Sequence, residues 1–418
     1  MTTDRFKYKK NECIYACVAL LLFFQSYLQD SIALFQYFDE FIAVCCLLEI
    51  FIKMIRGELK SDDASLLIVV FLIAVIGLLG NATAMVQTNW KPIATDIGNT
   101  FKVFIVYIGA KIMLRKSDRQ KIVGILAMFI KIFVWILFVF MVLHELHIVP
   151  MGNDVRFGLR SFQFINHVAG QLSMMFYYII LILTLDMGYQ KKKMSISTIV
   201  AIIVWLSTLR SRAFMYCISY LFLYRIIIKK EKKFRFSLKT VVPIIGILYF
   251  FAVDQIEAYF VNTSAPRSKL LVYGVHTMKR FFPLGSGFAT YGTDAAVKYY
   301  SKLYIEYGFN KVYGLNRLQP MFAHDTYWPA IMGQFGVFGT VLMIVLVYKL
   351  CKDILKRTKN DNYMFFAALF IVITQVSSSI ATSTFFNPVT VGLFFIVPLM
   401  FSDEGEKHES TDFKNYTR

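Results

Sequence analysis

IVGILAMFIKIFVWILFVFMVL, residues 122–143, is apolar except for one charge, Lys131. At the 1.5 Å rise of a helix it is long enough to cross the roughly 30 Å hydrocarbon layer of a bilayer. Backbone groups inside lipid must be satisfied within the segment itself, so the stretch reads as a transmembrane helix. Similar runs flank it. Toward the N-terminus they cover residues 12–28, 33–52, 64–79 and 97–114; toward the C-terminus one ends near Leu185 and others cover 195–209, 213–228, 240–253, 329–348, 363–380 and 384–401. Together they make about twelve transmembrane helices and an all-α polytopic membrane protein.

Composition agrees with this class. Hydrophobic residues make up 57% of the chain and charged residues 17%, whereas soluble domains carry about 25% charged residues. The net charge of +18 excludes nothing by itself. Its basic residues, however, fall in short clusters between apolar runs, such as Arg115, Lys116, Arg119 and Lys121, or Lys191, Lys192 and Lys193. That is the mark of cytoplasmic loops, not of a nucleic-acid surface, so no nucleic-acid partner is expected. An even number of crossings puts both termini on one side, and Lys and Arg outnumber those of the other side there, so both termini are read as cytoplasmic. The first run lacks a small-residue cleavage site and is expected to stay as a span. The six cysteines lie in apolar segments or on the cytoplasmic side, which implies no disulfide-stapled outer domain. The organisation read from the chain is helices one to nine over 1–253, a large extracytoplasmic loop over 254–328, helices ten to twelve over 329–401, and a polar cytoplasmic tail over 402–418.

Charged side chains inside the runs are Asp39, Glu40, Glu49, Lys102, Lys131 and Arg225. They snorkel, or, for Lys102 and Glu49, pair or line a cavity. In the outer loop, residues 267–282 set Leu271, Val275, Met278 and Phe282 on one helical face, as expected of a helix against the membrane or the bundle mouth. Tyr299, Tyr300, Tyr304, Tyr307 and Phe309 fit an interfacial aromatic belt better than sugar stacking.

Outward arginines are the informative excess, because the charge rule works against them. Arg210 and Arg212 stand at a span end, and Arg156, Arg160, Arg267 and Arg280 stand in outer loops. A guanidinium is a planar fork of donors suited to phosphate; the plainer alternatives are snorkelling or pairing with Asp254, Glu257 or Asp294. Pro283, Gly285, Gly287 and Gly292 make a compact turn whose amides can approach a substrate, or else a structural hairpin. His324 is the leading proton acceptor against a structural or capping role, with His276 a weaker rival. Asp325 orients an imidazole elsewhere or caps the helix near Pro329, because adjacent side chains rarely face each other. His144 and His147 have a ligand-like spacing but no cysteine or carboxylate trio beside them, so no metal is assigned. The glycosylation-type triplets opened by Asn81 and Asn262 are given no role, and Gln334, Gly336 and Gly339 mark a small-residue helix face.

In order and spacing, the elements Arg210 to Arg212, Arg267, Pro283-Leu284-Gly285-Ser286-Gly287-Phe288 leading to Thr290, Tyr291 and Gly292, Ala323-His324-Asp325, and Gln334-Phe335-Gly336-Val337-Phe338-Gly339 resemble the O-antigen polymerase and O-antigen ligase superfamily. The resemblance implies a GT-C-like architecture and an inverting, metal-independent glycosyltransferase without cofactor. Its donor and acceptor are undecaprenyl-diphosphate-linked oligosaccharides, met at the outer face of the bacterial inner membrane, with membrane lipids and a chain-length regulator as further partners. Polymerases extend another lipid-linked repeat unit, giving O-antigen, capsule or exopolysaccharide; ligases move the glycan to a terminal acceptor. By match to the family pattern, Arg212, Arg267 and His324 are the catalytic set. Arg210, Arg280, Lys269, Gly285, Gly287 and Asp325 are assigned to substrate binding. Asp325 stands where many relatives are expected to carry Asn, and Tyr273 where they often carry Trp. Polymerase is preferred to ligase on the compactness of the chain. A polysaccharide flippase is the rival from another class; it predicts a polar path through the membrane, and the one-sided loop with His and Arg argues against it.

Overall fold

The structure, a computed structural model, describes residues 10–166, 168–229, 242, 246 and 265–401. Most of the run at 240–253 and of the basic stretch 229–239, the tail at 402–418, Asp254, Glu257 and Asn262 lie outside the described residues. The architecture is all-α, apart from one short hairpin that pairs Val155–Arg156 with Leu159–Arg160. The helices are α1 (Lys10–Ser31), α2 (Phe38–Ile55), α3 (Ser61–Ala84), α4 (Trp90–Met113), α5 (Arg119–Glu145), α6 (Ala169–Gln190), α7 (Ile196–Ser207) and α8 (Ser211–Leu223). After these come α9 (Pro266–Arg280), α10 (Trp328–Thr358), α11 (Asn362–Ala381) and α12 (Pro388–Ile396). A π-helical turn, Tyr224–Ile228, prolongs α8. Side-chain caps written into the sequence start several of these helices: Asn89, Asp118, Ser195, Asp361 and Asn387 each accept an amide of the first turn.

Among the described residues, seven helices are long and apolar enough to cross a membrane: α1, α3, α5, α6, α8 with its π turn, α10 and α11. The protein is therefore polytopic. α7 and α12 are apolar but shorter. The ends also move. α3 runs on through Asn81 and α4 begins at Trp90, so Asn81, Lys91, Pro92 and Asp96, read as the loop between the runs at 64–79 and 97–114, are helical.

α6 is buried almost all round, packed by α5, α7, α11 and α12. A helix without a polar face belongs at the centre of a bundle. Phe176 of α6 stacks on Trp205 of α7 with ring centroids 5.6 Å apart. The peripheral faces of α2 and α5 expose Phe41, Leu48, Phe51, Ile132 and Val139, an apolar surface suited to lipid.

Several charges within the bundle are paired. Lys102 bonds Asp39 at 2.6 Å, with Gln25 donating to the same carboxylate at 2.7 Å, so Asp39 and not Glu49 is its partner. Lys111 bridges Asp63 and Asp353, and Asp353 also accepts from Tyr107 at 2.6 Å and Arg357 at 2.7 Å. Lys102 and Asp39 are 3% and 0% exposed, so removing one strands the other. Lys102→Met is expected to cost about 3–5 kcal/mol, seen as a lower unfolding temperature in detergent, with Asp39→Asn in the same chain restoring part of it. Equal unfolding temperatures for wild type and Lys102→Met would show that the pair is not sequestered.

Residues 265–327 form a cap with its own aromatic core, in which Leu270, Tyr291, Leu303, Tyr304, Phe309 and Leu315 are buried. This corrects the belt reading. Tyr304 and Phe309 are interior, and Tyr299 is the member that stays exposed. Burial pushes the Tyr291 and Tyr304 hydroxyls well above their ordinary pKa, and as neutral groups Tyr291 donates to the Leu270 carbonyl while Tyr304 accepts the Gly292 amide. The buried face of α9 is also not the one expected: it is Ser268, Leu270, Gly274 and Thr277, while Phe282 is exposed. Gly274 is inward because α9 lies along α10, and a Cβ there would sit 2.8 Å from the Pro329 carbonyl.

Candidate active site

The cap is fastened to the bundle by its glycine turn. Asn81 on α3 donates to the Phe288 carbonyl at 2.9 Å and accepts the Phe288 amide at 2.8 Å. Asp96 on α4 accepts the Ala289 amide at 2.6 Å and Gln334 Nε2 at 2.8 Å, and Gln334 Nε2 also donates to Thr293 Oγ1 at 3.1 Å. The Phe288 ring fills the notch at Gly77 and meets Phe335 at 4.9 Å between ring centroids. α10 breaks where the turn crosses it: Gly336 has φ +60° and ψ −158°.

The turn was read from the sequence as a source of amide donors for a substrate, and the structure assigns those donors elsewhere. Gly285 donates to the Phe281 carbonyl at 2.8 Å, Ser286 to Gly333 at 3.0 Å, and Gly287 to Gln334 at 2.8 Å. Gly285 (φ +80°) and Gly287 (φ +87°) are glycines because other backbone passes against them: a Cβ would lie 2.3 Å from the Gly336 nitrogen or the Asn81 nitrogen. The amides of Gly285 and Gly287 are thus engaged in holding the turn against α3 and α10. Asn81, given no role by its triplet, is part of the fastening.

This docking sets out the first group of site residues. Thr293 caps a short turn, accepting the Ala296 amide, and puts Asp294 at its first position. Asp294 Oδ1 lies 3.7 Å from His324 Nδ1, and that nitrogen is hidden without a hydrogen-bond partner. The imidazole as a whole is 42% exposed, so the edge bearing Nε2 carries its accessibility. Asp325 turns the other way and accepts from Arg267 on α9 through Nε at 2.9 Å and through Nη2. Arg267, Asp325, His324 and Asp294 are brought together.

Arg280 is not among them. It pairs with Glu306 at 2.5 Å, lies over the Phe281 ring and is exposed, while Lys269 is half-buried on the same helix. His276 is exposed beside Tyr273 and Tyr307.

A second group forms where α7 gives way to α8. Arg210 Nη2 and Arg156 Nε reach the same oxygen of Asp154, at 3.0 and 3.2 Å. Burial, with Arg156 close by, lowers the Arg210 pKa from its ordinary value. Arg212 stands beside Tyr177; its Nη2 passes over Gly170 in the first turn of α6, and its Nη1 is hidden without a hydrogen-bond partner. Two guanidinium groups thus share the Asp154 carboxylate, and Arg212 lies close enough to Arg210 for their charges to interact. Tyr177 and Tyr216 bond Ser378 of α11 at 3.1 and 2.8 Å, and the next residue, Ser379, accepts from Trp328 Nε1 at 3.1 Å. Since Trp328 begins α10 just after Asp325, α11 ties the two groups to one end of the bundle.

Among the described residues, no group of three or more His, Cys, Asp or Glu side chains is arranged to hold a metal ion. In comparisons with known proteins, no family model matches the chain and no curated protein is significantly similar to it. The partners that sequence reasoning missed are Asp294 for His324 and Asp96 for the turn; no local signal marks either, because both contacts are set by tertiary packing.

Proposed function

We propose that the chain is an inverting glycosyltransferase that polymerises undecaprenyl-diphosphate-linked repeat units at the outer face of the bacterial cytoplasmic membrane. In this reading the bundle has about twelve crossings in a GT-C-like arrangement with both termini cytoplasmic. The observation that carries it is the company His324 keeps: a half-exposed imidazole next in the chain to Asp325, which holds Arg267, at the end of the bundle where Arg156 and Arg210 share one carboxylate and Arg212 stands close to Arg210. Arg267 and Arg212 hold the donor diphosphate and meet the charge that grows on it as the glycosidic bond breaks. His324 aligns the acceptor hydroxyl and takes its proton. Diphosphate whose charge is met in this way is a competent leaving group.

The test is a reconstitution in nanodiscs with lipid-linked repeat units extracted from cells that lack this protein. The expected result is a ladder of longer lipid-linked glycans with release of undecaprenyl diphosphate. Transfer only when a different terminal acceptor is added would make the protein a ligase. Transbilayer movement of the substrate without any transfer would overturn the enzyme reading.

A further inference from the structure

We infer that Asp294 is the positioning residue for His324, holding the imidazole as its Nδ1–H tautomer with the Nε2 lone pair turned to the acceptor; this rests on the transferase reading above. An ionised carboxylate offers acceptors only. The ring atom that faces Asp294 Oδ1 is Nδ1, 3.7 Å away, and it is hidden from solvent with no other hydrogen-bond partner. If Nδ1 were bare, two acceptors would face each other with no proton between them. With the proton on Nδ1, the contact becomes a charge-assisted hydrogen bond once the gap closes by under about 1 Å, as catalytic contacts do when substrate binds.

Asp294 is 60% exposed, yet its main chain is not loose. The preceding residue, Thr293, caps the short turn and accepts Gln334 Nε2 at 3.1 Å, and Gln334 is held by Asp96 at 2.8 Å. The fastening of the cap therefore also aims the Asp294 carboxylate. Asp325, the nearer residue in sequence, is engaged by Arg267 and cannot do this work.

During transfer, the acceptor hydroxyl gives its proton to Nε2 as its oxygen bonds to the anomeric carbon. The bond from that carbon to the diphosphate oxygen breaks, and its electron pair leaves with the lipid diphosphate. The imidazolium, its second proton facing Asp294, then returns the Nε2 proton to water.

The test uses the full chain labelled with 15N-histidine in nanodiscs, in alkaline buffer where imidazole is neutral. The His324 signals are assigned by their loss in His324→Gln. Wild type is expected to show a protonated Nδ1 and a bare Nε2, Asp294→Ala to show the opposite tautomer, and Asp294→Glu to keep the wild-type pattern. With lipid-linked repeat units from cells lacking the protein, Asp294→Ala is expected to lower kcat by about 10–100-fold while KM for the donor changes by less than about twofold. Asp294→Glu recovers most of that loss. An unchanged tautomer in Asp294→Ala overturns the inference. A switched tautomer with unchanged kcat upholds the Asp294–His324 pairing and instead sinks the assignment of His324 as the base, so the two failures are told apart.

Discussion

Replacing His324 by alanine is expected to cut glycan polymerisation by about 10²–10⁴-fold, the usual contribution of a general base. The side chain is 42% exposed and makes no hydrogen bond through Nδ1, so truncation opens no cavity and breaks no internal network. Stability should therefore stay within about 0.5 kcal/mol of wild type, and the loss can be assigned to chemistry. In the proposed mechanism the donor diphosphate is held by Arg267 and Arg212, which this change leaves in place, so its KM is expected to hold while kcat falls. The measurement is glycan chain length and lipid diphosphate release from protein inserted at wild-type level. Normal chain length from His324→Ala would remove the proposed base and, with it, the mechanism.

Gly287→Val is expected to destabilise the protein by about 3–5 kcal/mol, combining left-handed backbone strain with overpacking. A β-carbon at this residue lies 2.3 Å from the Asn81 nitrogen and 2.7 Å from its Cα, main-chain atoms of α3 that cannot swing away. The loss should appear as early proteolysis within 265–327 and a lower unfolding temperature, with transfer lost alongside, since the same docking places Thr293 and Asp294. Gly308→Ala is the control: φ is also positive, +69°, but nothing lies within 4 Å of the added carbon, so only strain of about 1 kcal/mol applies. If the two variants unfold alike, the cap is not docked through this turn.

These two residues also mark what a sequence can tell. His324 could be singled out because a histidine beside a span end, amid outward arginines, is a local pattern. Gly287 was noticed for its backbone freedom, but whether its amide faces a substrate or another carbonyl depends on what lies across from it, and that partner, Gln334, is distant in the chain. Seven of the apolar runs were legible as membrane-crossing helices because lipid demands long uninterrupted segments, and caps such as Asp118 and Asn387 set several helix starts. Aromatic residues misled, since Tyr and Phe serve an interfacial belt and a packed core equally well; Tyr304 and Phe309 proved to be core. The face of α9 misled for a related reason. Large apolar residues suggest burial, but close helix contact selects small ones, here Gly274 against Pro329.

In the proposed role, Arg267 would meet incoming anions with a carboxylate already in place. Whatever binds it must exchange with Asp325, so the net gain is the difference between two anions and not the full attraction of one. A phospholipid headgroup with a single phosphate charge offers little more than Asp325 does and gains almost nothing by the exchange. A diphosphate brings greater charge and more oxygens to the same planar fork and wins it. If the proposed donor is the ligand, then in a membrane where ordinary phospholipids vastly outnumber lipid-linked sugars the resident carboxylate would work as a threshold, keeping the site from being silted up by the solvent the protein lives in.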